Sequence, residues 1–160
     1  MITTRILRKL CKAASSCFPP YEAKLVQAVL AIAFYGFLRV SEYSKTKAGH
    51  VLLLTGCKVS ATRVVITVPS SKFGKTPIRL KLTAQQQKTI CPVENLRQYL
   101  SMRPKNEAKE LFTLRDGQPI TDGSVRRWLR ILSNTLQMEV VNPHDLRIGG
   151  ATWAASQRLA

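Results

Sequence analysis

Acidic side chains are scarce in this chain: nine Asp and Glu stand against 25 Lys and Arg, a net charge of +16 over 160 residues. Such an excess repels itself in a compact state unless a polyanion is its usual neighbour, and DNA, RNA and an anionic membrane surface all qualify. Histidine is limited to His50 and His144, and the cysteines Cys11, Cys17, Cys57 and Cys91 form no Cys-x-x-Cys pair. This spacing gives poor zinc ligands, so free thiols in a reducing compartment and no metal are expected. Long hydrophobic runs are also missing. The most apolar segment, 25–38, is interrupted by Gln27 and is too short to span a bilayer, so it reads as a buried helix. There is no internal repeat and no low-complexity tract. With 45% apolar residues the chain can bury one substantial core, which makes a single compact domain the expectation.

The positive charge is concentrated. Between Glu42 and Glu94 no acidic residue occurs, while Lys45, Lys47, Lys58, Arg63, Lys72, Lys75, Arg79, Lys81 and Lys88 all do. The same stretch alternates apolar and polar residues, as folded strands do and disordered tails do not. A basic surface embedded in folded sequence is an electrostatic footprint for phosphates, with the plain alternative that it is a solvated hairpin face.

Periodicity and punctuation predict a mixed α+β domain, mostly helical. A helix should run over 21–38 after Pro19-Pro20, with Gly36 loosening its last turn. Strands are expected at 51–54, 63–68 and 76–82, the last two joined by a turn over 69–74 with Lys72 at its tip. Helices follow over 93–102, from Thr121 or Asp122 to about Gln137, and from Asn142-Pro143 onward. Residues 1–20, basic and serine-bearing with no long amphipathic stretch, read as a linker or the remnant of an upstream helical domain. A mitochondrial presequence is the alternative there.

Two short stretches carry the chemistry: Phe34-Tyr-Gly-Phe-Leu-Arg39-Val-Ser-Glu42, and Pro143-His144-Asp-Leu-Arg147-Ile-Gly-Gly-Ala-Thr-Trp153. An arginine can donate two hydrogen bonds to one phosphate while keeping its charge, which suits it to developing negative charge in phosphoryl transfer. Arg39 read alone is a cation at a helix C-terminus, and Glu42 its i,i+3 partner. His144 and Arg147, at i and i+3 near a helix start, share one face and would repel whenever the histidine is charged, a repulsion that a shared phosphate would relieve.

These stretches resemble the two arginine boxes of the tyrosine recombinases, enzymes that cut and rejoin DNA through a phosphotyrosine. The first box in that family is commonly Thr-Gly-Leu-Arg-x-Ser-Glu. With Cys91-Pro-Val-Glu-Asn-Leu and Leu111-Phe-Thr-Leu, the pattern is most similar to recombinases of eukaryotic DIRS- or Crypton-type mobile elements. The resemblance covers nearly the whole chain and implies a partial catalytic domain over 21–160, with Arg39, His144 and Arg147 on the scissile phosphate and Glu42 supporting them. Lys72 would be the mobile general acid, with Lys75 as the alternative register, and Lys45, Lys47, Lys75 and Arg79 would contact DNA. It implies no cofactor, a double-stranded DNA partner, possible self-association on DNA, no membrane and no small-molecule substrate, in a nucleus if the source is eukaryotic and otherwise in the cytoplasm.

The family's third-box histidine or tryptophan and its nucleophilic tyrosine are expected beyond Ala160, and Trp153 is not at the third-box position. Tyr21, Tyr35, Tyr43 and Tyr99 read as packing residues. The expectation is therefore a DNA-binding recombinase-like domain that is inactive alone. The rivals are a domesticated DNA-binding protein, a fragment of a longer active enzyme and a basic RNA-associated organellar protein.

Overall fold

The computed structural model describes residues 1–47, 51–69, 76–105 and 107–159. Six helices and one small sheet occur among them: α1 (Thr4–Cys17), α2 (Pro20–Tyr35), α3 (Val40–Tyr43), β1 (Cys57–Val59), β2 (Arg63–Val68), β3 (Ile78–Thr83), α4 (Pro92–Met102), α5 (Asp122–Thr135) and α6 (Pro143–Leu159). The α+β expectation holds.

Helix α2 is the axis of the domain. A helix apolar on all sides must be buried on all sides, and every residue from Leu25 to Tyr35 is buried. It packs against α1, α4 and α6. The one amide in that stretch, Gln27, is satisfied across the α1 interface, donating to the Cys11 carbonyl at 2.8 Å and to Ser15 Oγ at 3.0 Å. Each fully buried Leu, Ile or Phe here contributes on the order of 1.5–3 kcal/mol of transfer free energy.

Two sequence expectations fail at the ends of α2. Residues 4–17 do form an amphipathic helix, capped by the Thr3 hydroxyl, which accepts from the Ile6 N–H at 3.3 Å. Its buried side, Leu7, Leu10, Cys11 and Ala14, follows i, i+3, i+4, i+7 spacing. Cysteine and alanine made that stripe inconspicuous. The helix expected to reach residue 38 stops at Tyr35, with Gly36 as its C-cap. Gly36 keeps right-handed backbone at φ −91°, and a Cβ there would meet the Ile32 carbonyl oxygen at 2.8 Å.

The sheet has the order β1-β2-β3, antiparallel throughout, with Val64 facing Leu82 and Ile66 facing Leu80. Alternation along β2 buries Val64, Ile66 and Val68 and turns Arg63, Val65 and Thr67 the other way. The strand expected at 51–54 is absent. There Leu52 donates its N–H to the Glu42 carbonyl, and Leu54 donates to that of Lys109. Pairing is limited to one isolated antiparallel bridge, Leu53 to Glu110, beside which the Leu111 N–H donates to the Leu52 carbonyl. Strand β1, only three residues long, was too short to show periodicity. The hairpin tip at 70–75, with Lys72 and Lys75, lies outside the described residues.

Helix α5 starts with a reciprocal cap: the Thr121 hydroxyl accepts the Ser124 N–H at 3.2 Å, and the Ser124 hydroxyl accepts the Thr121 N–H at 3.1 Å. Val125, Trp128, Leu129 and Leu132 are fully buried on its inner face, as their spacing predicts.

Candidate nucleic-acid interface

The end of α2 and the start of α6 build the site. After Gly36, Phe37 adopts left-handed backbone at φ 51°, where the Phe37 N–H donates to Phe34 and the Leu38 N–H to Ala33. This is a Schellman closure, whose left-handed position normally holds glycine. A bulky residue there is strained by about 1–2 kcal/mol. In the first-box pattern the glycine directly precedes the Leu-Arg pair, so this chain carries Phe37 where that backbone prefers glycine.

The closure turns the chain sharply and presents Arg39 as the residue preceding α3. Glu42 fixes it through the backbone, its carboxylate accepting the Arg39 N–H at 2.7 Å. The expected support of Arg39 by Glu42 therefore runs through the main chain. The Arg39 side chain is exposed.

Helix α6 begins with a second reciprocal cap: Asn142 N–H donates to Asp145 Oδ2 at 2.9 Å, and Asp145 N–H to Asn142 Oδ1 at 3.1 Å. With the helix started there, His144 lies in the first turn and Arg147 one turn on, along the same face. Leu146 points into the core with no exposed surface. The helix lies very close to its neighbours because Gly149 and Gly150 lack side chains. A Cβ on Gly150 would fall 1.7 Å from the Phe34 carbonyl oxygen, and one on Gly149 2.3 Å from that of Ile2.

This close approach brings the two boxes together. Arg147 Nε donates to the Phe37 carbonyl at 3.1 Å, on the strained residue two places before Arg39. The terminal nitrogens of the guanidinium remain as donors. Neither Arg39 nor Arg147 is among the described ion pairs, which join Arg97 to Glu94, Arg126 to Asp122 and Arg127 to Glu22. His144 is exposed on the first turn of α6.

A basic sheet face borders this corner. Register places Lys58 beside Val65, Lys81 across from Val65, and Arg79 across from Thr67, so Lys58, Arg63, Arg79 and Lys81 share the outward side. Lys81 also lines a pocket of about 220 Å³ with Tyr35, Phe37 and Trp153, which links the sheet to the Arg147 corner. All four belong to the acid-free basic run, though the family resemblance implies DNA contact for Arg79 alone; strand parity in 63–68 and 78–83 places the other three beside it. Lys45 and Lys47 are exposed beyond α3, where the Lys45 N–H donates to the Ile120 carbonyl at 2.8 Å.

Each of the four tyrosines is buried. Tyr21 donates to the Thr113 carbonyl at 2.7 Å and Tyr99 to the Leu111 carbonyl at 2.8 Å. Burial pushes the Tyr35 phenol up to about 12 and raises Tyr21 and Tyr43 further. Trp153 stacks edge-on to Tyr35 with ring centroids 4.9 Å apart. Among the described residues no cluster of His, Cys, Asp or Glu could hold a metal, and no helix is long and apolar enough to cross a membrane.

The same architecture occurs in solved structures of XerH site-specific recombinase bound to difH substrate, in a pre-cleavage complex at 15% identity and, with palindromic difH, a post-cleavage complex at 17%. Both superpose with a TM-score of 0.71 over 99% of this chain. The chain has a tyrosine-recombinase fold. It spans 43% of the length of each of these recombinase chains. No protein-family model matches the sequence, and no curated protein does.

Proposed function

We propose that this is a DNA-binding domain of the tyrosine-recombinase type, in which Arg39 and Arg147 hold a backbone phosphate. The observation that carries the reading is the 3.1 Å bond from Arg147 Nε to the Phe37 carbonyl, because it anchors the second-box arginine on the segment presenting the first. Two guanidinium groups free of acidic partners at one corner are a cradle for a tetrahedral oxyanion. His144, on the same helical face as Arg147, is placed to donate to the same phosphate or to an oxygen leaving it. The outward cations of the sheet, with Lys45 and Lys47, track the flanking backbone. Lys72 or Lys75 supplies the general acid in this reading.

The chain's own tyrosines do not serve as nucleophile, since each phenol is buried and three are held well above the range in which a phenolate forms at neutral pH. Covalent strand transfer then requires a tyrosine supplied by another segment or another subunit. A mobile-element recombinase of a eukaryotic nucleus is the setting that the sequence pattern favours.

Fluorescence anisotropy with duplex DNA tests the reading. If about six phosphates are neutralised, log affinity falls against log salt with a slope near −5, similarly for unrelated sequences. Arg147→Ala should reduce the magnitude of that slope by about one. Affinity independent of salt, or a clear preference for structured RNA over duplex DNA, would overturn it.

A further inference from the structure

A second collection of cations lies in a cleft of about 460 Å³ between α1, α2, the turn Lys88–Ile90 and the start of α4. Lys12, Lys24 and Lys88 line it, together with Ser15, Thr89 and the amides of Gln27, Asn95 and Gln98. The size falls within the range of small-ligand pockets, roughly 300–1,000 Å³. None of the three lysines is in an ion pair among the described residues. The carboxylate that lines the cleft, Glu94, is already engaged by Arg97 and by Gln98 Nε2 at 2.8 Å. Those bonds, and more weakly the charge of Lys88, hold its pKa below the usual carboxylate value.

The floor is built rather than incidental. Gln27 and Asn95 are 7% and 5% exposed, which is unusual for amides, and both are fixed by their donor nitrogens. Gln27 is held by the Cys11 carbonyl and Ser15 Oγ, Asn95 by the Thr89 and Cys91 carbonyls at 2.9 and 3.0 Å. Lys24 is steered by Gln98, whose Oε1 accepts from its Nζ at 2.6 Å. Three lysines lining one concave site share a like charge that a bound anion would offset. A solvated basic surface would need no such floor.

We propose that this cleft is an anion-binding site for a phosphate-bearing ligand, distinct from the Arg39 and Arg147 corner. The two sites face different neighbours along α2, with about 12 Å of helix between Gln27 and Tyr35. Phosphate is the favoured chemistry because three lysines line the cleft, and a di- or triphosphate group offers several oxygens to accept from them. The source is either a free oligophosphate or the backbone of a nucleic acid.

Titration calorimetry of the full chain with inorganic triphosphate, without divalent metal, tests this. In the Arg147→Gln background, which removes the other phosphate cradle, Lys24→Gln and Lys88→Gln should each weaken triphosphate binding by about tenfold, the scale of one charge-assisted contact. In amide-resolved NMR the side-chain NH2 signals of Gln27, Asn95 and Gln98 should shift on addition of triphosphate. Displacement of triphosphate by a duplex oligonucleotide from the Arg147→Gln variant identifies nucleic-acid backbone as the source, and its absence identifies a free oligophosphate. Triphosphate binding that is absent in the Arg147→Gln background, or unaffected there by the lysine changes, overturns the site. Failure here leaves the DNA reading of the other corner intact, since that reading is scored on DNA affinity and on Arg147.

Discussion

Replacing Gly150 with alanine tests the link between packing and site most directly. The added Cβ would lie 1.7 Å from the Phe34 carbonyl oxygen and 2.7 Å from its carbon, where contacts under 3.0 Å are essentially never seen. Helices α6 and α2 must therefore separate by about 1.3 Å, and both sides of the clash are backbone. Ordinary overpacking costs about 1–3 kcal/mol when side chains can give way, so this change belongs at or above the top of that range. At about 2–4 °C per kcal/mol for a domain of this size, the melting temperature should fall by roughly 6–12 °C. The same displacement would lengthen the 3.1 Å bond from Arg147 to Phe37 past the limit of a hydrogen bond, about 3.5 Å. DNA affinity should then drop even at temperatures where the variant stays folded. Gly123→Ala is the control, because its Cβ would meet only Thr121 Oγ1 at 3.6 Å, in α5, and should stabilise by about 0.5–1 kcal/mol. Calorimetry and anisotropy on the two variants decide the matter. A melting temperature for Gly150→Ala within about 2 °C of the parent would refute the close helix contact and the route by which it places Arg147.

Further outcomes follow from buried polar groups and caps. Tyr99→Phe removes a hydroxyl that donates to Leu111 and accepts from the Thr113 N–H at 3.0 Å, and chemical denaturation should show a loss of about 1–3 kcal/mol. Tyr43→Phe should be neutral or stabilising in the same assay, because the Tyr43 hydroxyl is buried without a partner among the described residues. Glu42→Ala strips the acceptor from the Arg39 N–H and should cost about 1 kcal/mol of stability and weaken DNA binding, with Gln restoring most of both. Burial pushes the Cys11 thiol from 9.0 up to about 12, so the folded state retains its proton after the unfolded chain has lost it. That contribution is fully present below about pH 9 and lost progressively as pH rises toward 12. Stability measured from pH 8 to 10.5 should decline less steeply in Cys11→Ala than in the parent, and parallel slopes would contradict the burial of the thiol.

The sequence by itself determined the class, the two boxes and the local signals. Alternation in 63–68 was legible because one face of β2 is buried and the other is wet, and the Thr121 start of α5 was legible because a cap and its helical spacing are both local. The apolar run of α2 announced a helix buried on all sides. What only the tertiary structure decided depended on contacts distant in sequence. Helix α1 joins the core because α2 offers it an apolar surface, which turns Cys11 and Ala14 into core residues. The segment 51–54 spends its hydrogen bonds on residues 42, 109 and 111, a choice invisible to propensity. Phe37 is left-handed although glycine stands one place earlier, since α6 crosses there and Arg147 takes the carbonyl that the turn exposes. Local rules write the elements into the chain, but the position of Arg147 relative to Arg39 is set by how closely two glycine-bearing backbones can approach, and that is a property of the packed molecule.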